Sequence, residues 1–329
     1  MAEAQAAFFA GTAQPPFRYA QPGELHAWQE RLRAMPVPRM HSFSGLLADA
    51  LASFHRMAEA LLRRDAEHFD LWAAHERWED GTIPESPGAD TPSPPEPAMG
   101  AAAMRQSLES GLAARGLDTW HVRWDEVMSA RILVESTRQE IRVNPAAQFR
   151  ASDVRRLVAH EIDVHVARSE NGKRQPLQMF STGLPGSLQT EEGLAMYAEQ
   201  HVGTLSFAAV ERQRRVSAII TLARRQGFRD LWEQLKPEYG ARGAFAVVLR
   251  IKRGLGDPGR PGAYAKDAVY GLGWAAVQRW LSAGGALANL YVGKVGMHHP
   301  IDEWIREGWV TPREVPAMWG SGERRPLQR

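Results

Sequence analysis

Residues 157–172 read LVAHEIDVHVARSENG, and the placement of two histidines in that stretch decides how the surrounding fold is read. His160 and His165 are five residues apart, with Glu161 directly after the first. In the zinc-protease helix H-E-x-x-H the histidines are four apart and share one face. Five steps of an ideal α-helix turn about 140° around its axis, so imidazoles spaced this way do not reach one ion. One extra residue absorbed as a π-bulge brings them back to within about 50° of each other. A metal-binding reading therefore predicts a distorted helix between His160 and His165, whereas a solvated helix face predicts a straight one. The chain carries its own control: HERWE at 75–79 starts with the same His-Glu pair, has no second histidine and reads as surface helix.

Working outward, a helix is expected from about Ser152 to Arg168, with Ser152 or Asp153 as its cap. Upstream, HVRWDEV (121–127) and RILVES (131–136) read as strands, Thr137–Gln139 as a turn and EIRVNP (140–145) as a partner strand. Arg131, Leu133 and Glu135 alternate with Ile132 and Val134, which predicts a sheet with one wet face. Downstream, TEEGLAMYAEQ (190–200) offers Glu191 and Glu192 at a helix start, and Gly193 lets backbones approach closely. Zinc in a hydrolase takes three protein ligands and keeps one position open, and a glutamate from a second helix is the third ligand in thermolysin-like proteases. Neighbours on a helix point about 100° apart, so Glu191 and Glu192 cannot both face one metal.

Helices are further expected over 24–34, along an apolar stripe from Phe43 to Leu62 capped by Ser42 or Ser44, and over 69–79 and 102–115. Beyond the metal segment the pattern is helical over 191–226, 228–235, 241–252, 266–283 and 301–307, and Asn171-Gly172 reads as a tight turn. Few strands beside many helices mean an α+β, helix-dominated fold, with a small antiparallel sheet beside the histidine helix. PESPGADTPSPPEP at 84–97 holds six prolines and cannot be regular helix or sheet. The expected organisation is an N-terminal helical region over 1–83, a Pro-rich loop or linker over 84–100, and a catalytic domain over 101–329.

The 329 residues are 44% apolar and 24% charged, which excludes a disordered, collagenous or coiled-coil chain. There is no cysteine, hence no disulfide, thiol nucleophile or Cys-ligated zinc. No apolar run reaches the roughly 18 residues that span a bilayer, so no membrane partner is expected. No positive charge precedes Arg18, so the N-terminus lacks the basic start of a secretory signal, and the expected location is cytoplasmic. Residues 1–100 carry 8 Arg and 14 Asp+Glu; residues 101–329 carry 32 Lys+Arg and 24 Asp+Glu. The basic C-terminal portion suits anionic substrates or acidic peptides. No Lys/Arg cluster alternates with aromatics, so nucleic acid is not expected as a partner.

HEIDVH, then NGKRQPL at 171–177, then EEGLA at 191–195, resembles the HExxxH…NGxxQPL…QEGLA succession of the tyrosine carboxypeptidase family. That family includes the microtubule-associated tyrosine carboxypeptidases and bacterial members labelled flavohemoglobin expression-modulating QEGLA motif proteins. RIKRG at 250–254 and AYAKDAVYGLG at 263–273 are similar to two further family motifs, and the resemblance covers about residues 101–300. It implies a zincin-like metallopeptidase with one Zn²⁺ per chain. It implies His160, His165 and Glu192 as metal ligands and Glu161 as general base and proton donor. Glu191 stands where the family has Gln. Tyr270, in a family motif, and His201 are the candidate oxyanion donors. Arg253 and Lys266, with Arg250 behind them, are the candidates to bind a substrate carboxylate, because Arg pairs with it bidentately and Lys as a point charge. Gln175 is read as a hydrogen-bonder of substrate backbone or as a holder of its own loop.

The sequence reading is therefore a zinc metallopeptidase of carboxypeptidase type acting on a peptide or protein C-terminus, an aromatic residue being the family's preference. The rival readings are a peptide-maturation protease or amidase on the same scaffold, and a non-enzymatic regulator. An intact set of His160, Glu161, His165 and Glu192 argues against the regulator, which needs no base. The sequence does not give the oligomeric state.

Overall fold

The computed structural model describes residues 2–11, 14–15, 17, 19, 23–37, 43–85 and 96–320. In chain order the helices are α1 (Ala2–Phe9), α2 (Leu25–Ala34), α3 (Ser44–Arg63), α4 (Ala66–His75), α5 (Ala101–Ala113), α6 (Ala151–Leu157), a π-helical segment (Val158–Val166) and α7 (Ala167–Lys173). They continue as α8 (Met179–Thr182), α9 (Ser187–His201), α10 (Phe207–Ala223), α11 (Phe228–Lys252), α12 (Val269–Ser282) and α13 (Ile301–Arg306). The strands are β1 (Ala98–Gly100), β2 (His121–Trp124), β3 (Ile132–Glu135), β4 (Glu140–Val143) and β5 (Gln148–Arg150). The fold is thus helix-dominated α+β.

Two compact units form, and they do not follow linear order: Met1–Asp80 joins Arg212–Val269, and Gly81–Glu211 joins Tyr270–Arg329. In the first, Phe8 packs edge-on against Phe228 and Trp232, with ring centroids 5.1 and 5.0 Å apart. Lys252 is fully buried there and donates to the carbonyl oxygens of Ala223, Gln226 and Arg260. Three carbonyls in a dry setting satisfy all three ammonium protons.

In the second unit, β1 pairs antiparallel with β5, and a three-stranded sheet has the order β2-β4-β3. β3 runs antiparallel to β4, but β2 runs parallel to it, so the sheet is mixed and not antiparallel as expected. A local reading finds the β3–β4 hairpin through its turn, but the seven residues between β2 and β3 carry β2 past β3 to the far side of β4. The apolar face of the sheet holds Val122, Ile141 and Val143, which share one core with Met104, Leu108, Leu112, Ile162 and Val166. Leu133 lies on the wet face, half exposed.

Several local expectations are corrected. Residues 86–95 of the proline-rich stretch lie outside the described residues, and Ala98–Gly100, assigned to the linker, is strand β1. Ser42 also lies outside them, and the N-cap of α3 is Phe43 rather than either serine. The helix of 191–226 is two helices separated at Gly203, whose φ is +71°. The helices of 228–235 and 241–252 form α11, kinked at Gly240. α6 is capped at Arg150, whose backbone N–H donates to the Asp153 side chain at 3.1 Å, so Asp153 closes the first turn from inside. Trp78 of HERWE is buried beyond the end of α4. Asn171-Gly172 is no turn but the buried last turn of α7. An ideal Cβ on Gly172 would lie 2.1 Å from the Phe180 carbonyl oxygen, so this glycine serves close packing.

Candidate metal centre

The π-helical segment Val158–Val166 carries the whole HEIDVH motif. Five residues in this wider winding nearly complete a turn, and the two imidazoles come together with ring centroids 5.0 Å apart. The segment packs on α9, which begins at Ser187, one turn earlier than the sequence suggests. Glu191 and Glu192 therefore sit in its second turn, turned inward.

The two glutamates face different atoms. Glu192 Oε2 lies 3.7 Å from His160 Nε2 and 3.6 Å from His165 Nε2. Those separations exceed hydrogen-bond length, and among the described residues this buried oxygen has no hydrogen-bond partner. Glu191 Oε1 instead meets His165 Nδ1 at 2.7 Å. On the other side, Glu199 Oε1 meets His160 Nδ1 at 2.8 Å. Both rings thus have Nδ1 engaged by a carboxylate and Nε2 directed at Glu192.

A second triple overlaps the first: ligand atoms of His160, Glu161 and His165 lie within 4.8 Å of one another. In the Glu192 triple, one carboxylate oxygen faces both Nε2 atoms and, among the described residues, is buried without a hydrogen-bond partner. Among the described residues no hydrogen bond or ion pair engages the buried Glu161 carboxylate. The donor set suits zinc. Two donors about 2.0–2.1 Å from Zn²⁺ at the tetrahedral angle lie roughly 3.4 Å apart, close to the separations found. With neutral imidazoles, the carboxylates of Glu161, Glu191, Glu192 and Glu199 outnumber the cations of Arg156, Arg168 and Lys294 that pair with them. A divalent cation reverses that imbalance. Without one, burial pushes His160 down, but Glu161, Glu192 and Glu199 more than reverse this and hold it well above the ordinary histidine value. Burial pushes Glu192 up, and the two imidazoles reverse that and hold it well below the usual carboxylate range.

α12 crosses α9 beside Glu192. An ideal Cβ on Gly193 would lie 2.2 Å from the Gly273 carbonyl carbon, so the two helices touch backbone to backbone. Tyr270, one turn before Gly273, packs with Met196, Val210 and Trp274. His201 is tied elsewhere: its Nε2 is 2.8 Å from the Met318 carbonyl oxygen and its ring lies against Trp319. Gln175 holds its own loop, donating to the Val292 and Thr311 carbonyls at 2.9 and 2.8 Å and accepting from the Thr311 N–H at 3.0 Å.

Arg250, Arg253 and Lys266 belong to the other compact unit. Both arginines pair with Asp267, Arg253 through two bonds of 3.0 Å, and Arg253 lies 4.6 Å above the Tyr264 ring. Lys266, the residue before Asp267, is half-buried. A groove of about 270 Å³ lined by Glu109, Leu117, Trp120 and Arg123 contains none of the site residues. The sequence reading missed Glu199, Arg156 and Arg168. Glu199 lies two turns after Glu192 and Arg156 one turn before His160, so helical periodicity marks both as same-face neighbours.

The family model described as microtubule-associated tyrosine carboxypeptidase matches residues 81–325. The chain belongs to this family. Two relatives are the mouse and human proteins named microtubule-associated tyrosine carboxypeptidase 1. Each is 30% identical over 158 residues, 44% of this chain and 32% or 31% of the relative. The aligned stretch thus spans about a third of those relatives' length. Among the described residues, no helix is long and apolar enough to cross a membrane.

Proposed function

We propose that the chain is a zinc-dependent metallopeptidase of carboxypeptidase type, with one zinc held by His160, His165 and Glu192. The observation that carries this reading is the pair of Nε2 atoms, 3.7 and 3.6 Å from one buried carboxylate oxygen that, among the described residues, has no hydrogen-bond partner. Membership of the tyrosine carboxypeptidase family supports a hydrolase acting on the C-terminus of a peptide or protein. A C-terminal tyrosine or other aromatic residue is the first substrate to test.

A zinc ion held by His160, His165 and Glu192 would supply Lewis acidity for the scissile carbonyl and for the nucleophilic water. Glu161, next to His160 and, among the described residues, in no hydrogen bond or ion pair, takes a proton from the attacking water as the C–O bond forms. It returns that proton to the departing amine as the C–N bond breaks. The Tyr270 hydroxyl, on the helix that abuts the Glu192 helix, is the candidate donor to the developing oxyanion.

The test is a peptide library with varied C-terminal residues, each as free acid and as amide, read by mass spectrometry with zinc measured on the same protein. A carboxypeptidase loses a charge-assisted contact worth about 1.5–3 kcal/mol on the amide, so the acid should be favoured more than tenfold. Equal cleavage of acid and amide would point to an endopeptidase or amidase, and a zinc-loaded protein that cleaves neither would point to the regulator.

A further inference from the structure

Each histidine of the centre is held from behind. Glu199 accepts at His160 Nδ1, and Arg156 Nη1 donates to the same Glu199 oxygen at 3.2 Å. Arg156 is itself held by Asp153 at 2.8 Å, and Asp153 accepts from the Arg150 N–H where α6 starts. Glu191 accepts at His165 Nδ1 through Oε1, which also faces Lys294 Nζ at 3.0 Å, while Oε2 takes Arg168 Nη1. Arg168 is fully buried and donates to the carbonyls of Leu290 at 2.9 Å, Gly293 at 3.2 Å and Val295 at 2.6 Å. One chain of bonds thus runs from the start of α6 to His160, and another from the backbone of 290–295 to His165.

A neutral imidazole carries one N–H and one lone pair. A carboxylate at Nδ1 selects the Nδ1–H form and leaves the lone pair on Nε2, the atom that faces Glu192. We propose that Glu199 and Glu191 are positioning residues that lock both imidazoles as Nε2 donors, each anchored by an arginine fixed elsewhere in the same unit. This rests on the metal reading above. The two anchors differ in one checkable respect. At Glu199 both bonds land on Oε1, so a glutamine amide oxygen at this position accepts both. At Glu191 the partners divide between the two oxygens, and all of them are donors. A glutamine there must turn its NH₂ toward either Arg168 or the His165–Lys294 pair. The residue that the family motif carries at this position is therefore the wrong one beside this chain's Arg168.

The test compares Glu199→Ala, Glu199→Gln, Glu191→Ala and Glu191→Gln in the full chain. Zinc affinity is measured by competition with a chromogenic chelator, and the ligand field by the absorption of the cobalt(II)-substituted protein. Losing a carboxylate that orients a metal-ligating histidine typically lowers affinity 10–100-fold. Glu199→Ala should show that loss and a changed cobalt spectrum, and Glu199→Gln should return to within about threefold of wild type. Both Glu191 variants should show the loss. If the Glu191 variants fail to fold, the Glu199 pair still decides. Wild-type affinity in Glu199→Ala, no recovery in Glu199→Gln, or full affinity in Glu191→Gln would overturn the proposal. A wild-type protein that takes up no stoichiometric zinc would overturn the metal reading and this proposal together.

Discussion

Replacing Gly193 with alanine should force apart the two helices beside Glu192. The added Cβ would lie 2.2 Å from the Gly273 carbonyl carbon and 2.3 Å from its oxygen. Ordinary contact begins at 3.4 Å, so the backbones must separate by about 1.2 Å. Both obstacles are main chain, and no rotamer change relieves them. Overpacking of this kind costs about 1–3 kcal/mol, and a backbone obstacle belongs at the top of that range. For a unit of this size about 3 kcal/mol lowers the melting temperature by about 6–12 °C. The effect on the metal should be larger in proportion. Ligand distances tolerate about 0.2 Å, and Glu192 is the next residue, so a retreat near 1 Å should lower zinc affinity at least tenfold. Thermal unfolding followed by circular dichroism, with and without zinc, gives both quantities. Gly273→Ala should behave alike, since its Cβ would lie 2.0 Å from the Gln189 carbonyl oxygen. Gly45→Ala, with nothing within 4 Å, is the harmless control. A Gly193→Ala protein with wild-type melting and wild-type zinc affinity would refute the close crossing as the device that seats Glu192.

Glu161→Gln should keep a full zinc equivalent and lose on the order of 10²–10⁴-fold in turnover, because glutamine has the shape but no basic oxygen; near-normal hydrolysis would remove Glu161 from the mechanism. Tyr291→Phe should destabilise by about 1–3 kcal/mol, since the buried hydroxyl both donates to the Asp163 carbonyl and accepts from Trp319; unchanged denaturant midpoints would count against those bonds. Asp267→Asn should flatten the acid limb of the stability curve. Burial pushes the Asp267 carboxyl up, but Arg253 and Arg250 more than reverse this and hold it below its ordinary value. The native group then binds fewer protons than the unfolded one, so its contribution is full above about pH 4 and vanishes as pH falls through the depressed native value. A difference between wild type and Asp267→Asn that persists unchanged down to pH 2 would contradict this.

How much could be read in advance depended on the range of the interaction. The His160–His165 spacing foretold a distorted helix, because the requirement is local: five residues must nearly complete a turn. Helix dominance was legible for the same reason, in three- and four-residue periodicity. The parallel pairing of β2 with β4 was not, since nothing within HVRW distinguishes a partner twenty residues away from one ten away. Phe54, counted in the apolar stripe of α3, is half exposed, while Ala58 of the stripe and Ala60 outside it are buried, so the periodicity located a face without its edges. Arg168 reads in sequence as an ordinary helical arginine. Its burial depends on carbonyls at 290–295, more than a hundred residues away.

The π-helical winding itself still needs a physical cause, because such segments are rare and mostly single bulges. Asp163, midway between the histidines, supplies much of it. Its carboxylate takes a forked pair of bonds from Arg115, whose Nη2 lies 2.7 Å from Oδ2 and whose Nη1 also donates to the Gly111 carbonyl at 3.0 Å. Its own carbonyl accepts from the Tyr291 hydroxyl at 2.9 Å, and that hydroxyl accepts from Trp319 Nε1 at 2.7 Å. The wider winding also needs room, and α5 provides it with a glycine: a Cβ on Gly111 would lie 2.9 Å from Ile162 Cδ1. The side of the segment away from the histidines is therefore fixed through both main chain and side chain of one residue, while the near side is fixed by Glu191 and Glu199. A straight α-helix through HEIDVH would turn the histidines apart and break the Asp163 contacts in the same motion. The winding that brings His160 and His165 together thus has its partners in Arg115, Tyr291 and Gly111, which lie 45 or more residues from the motif in sequence.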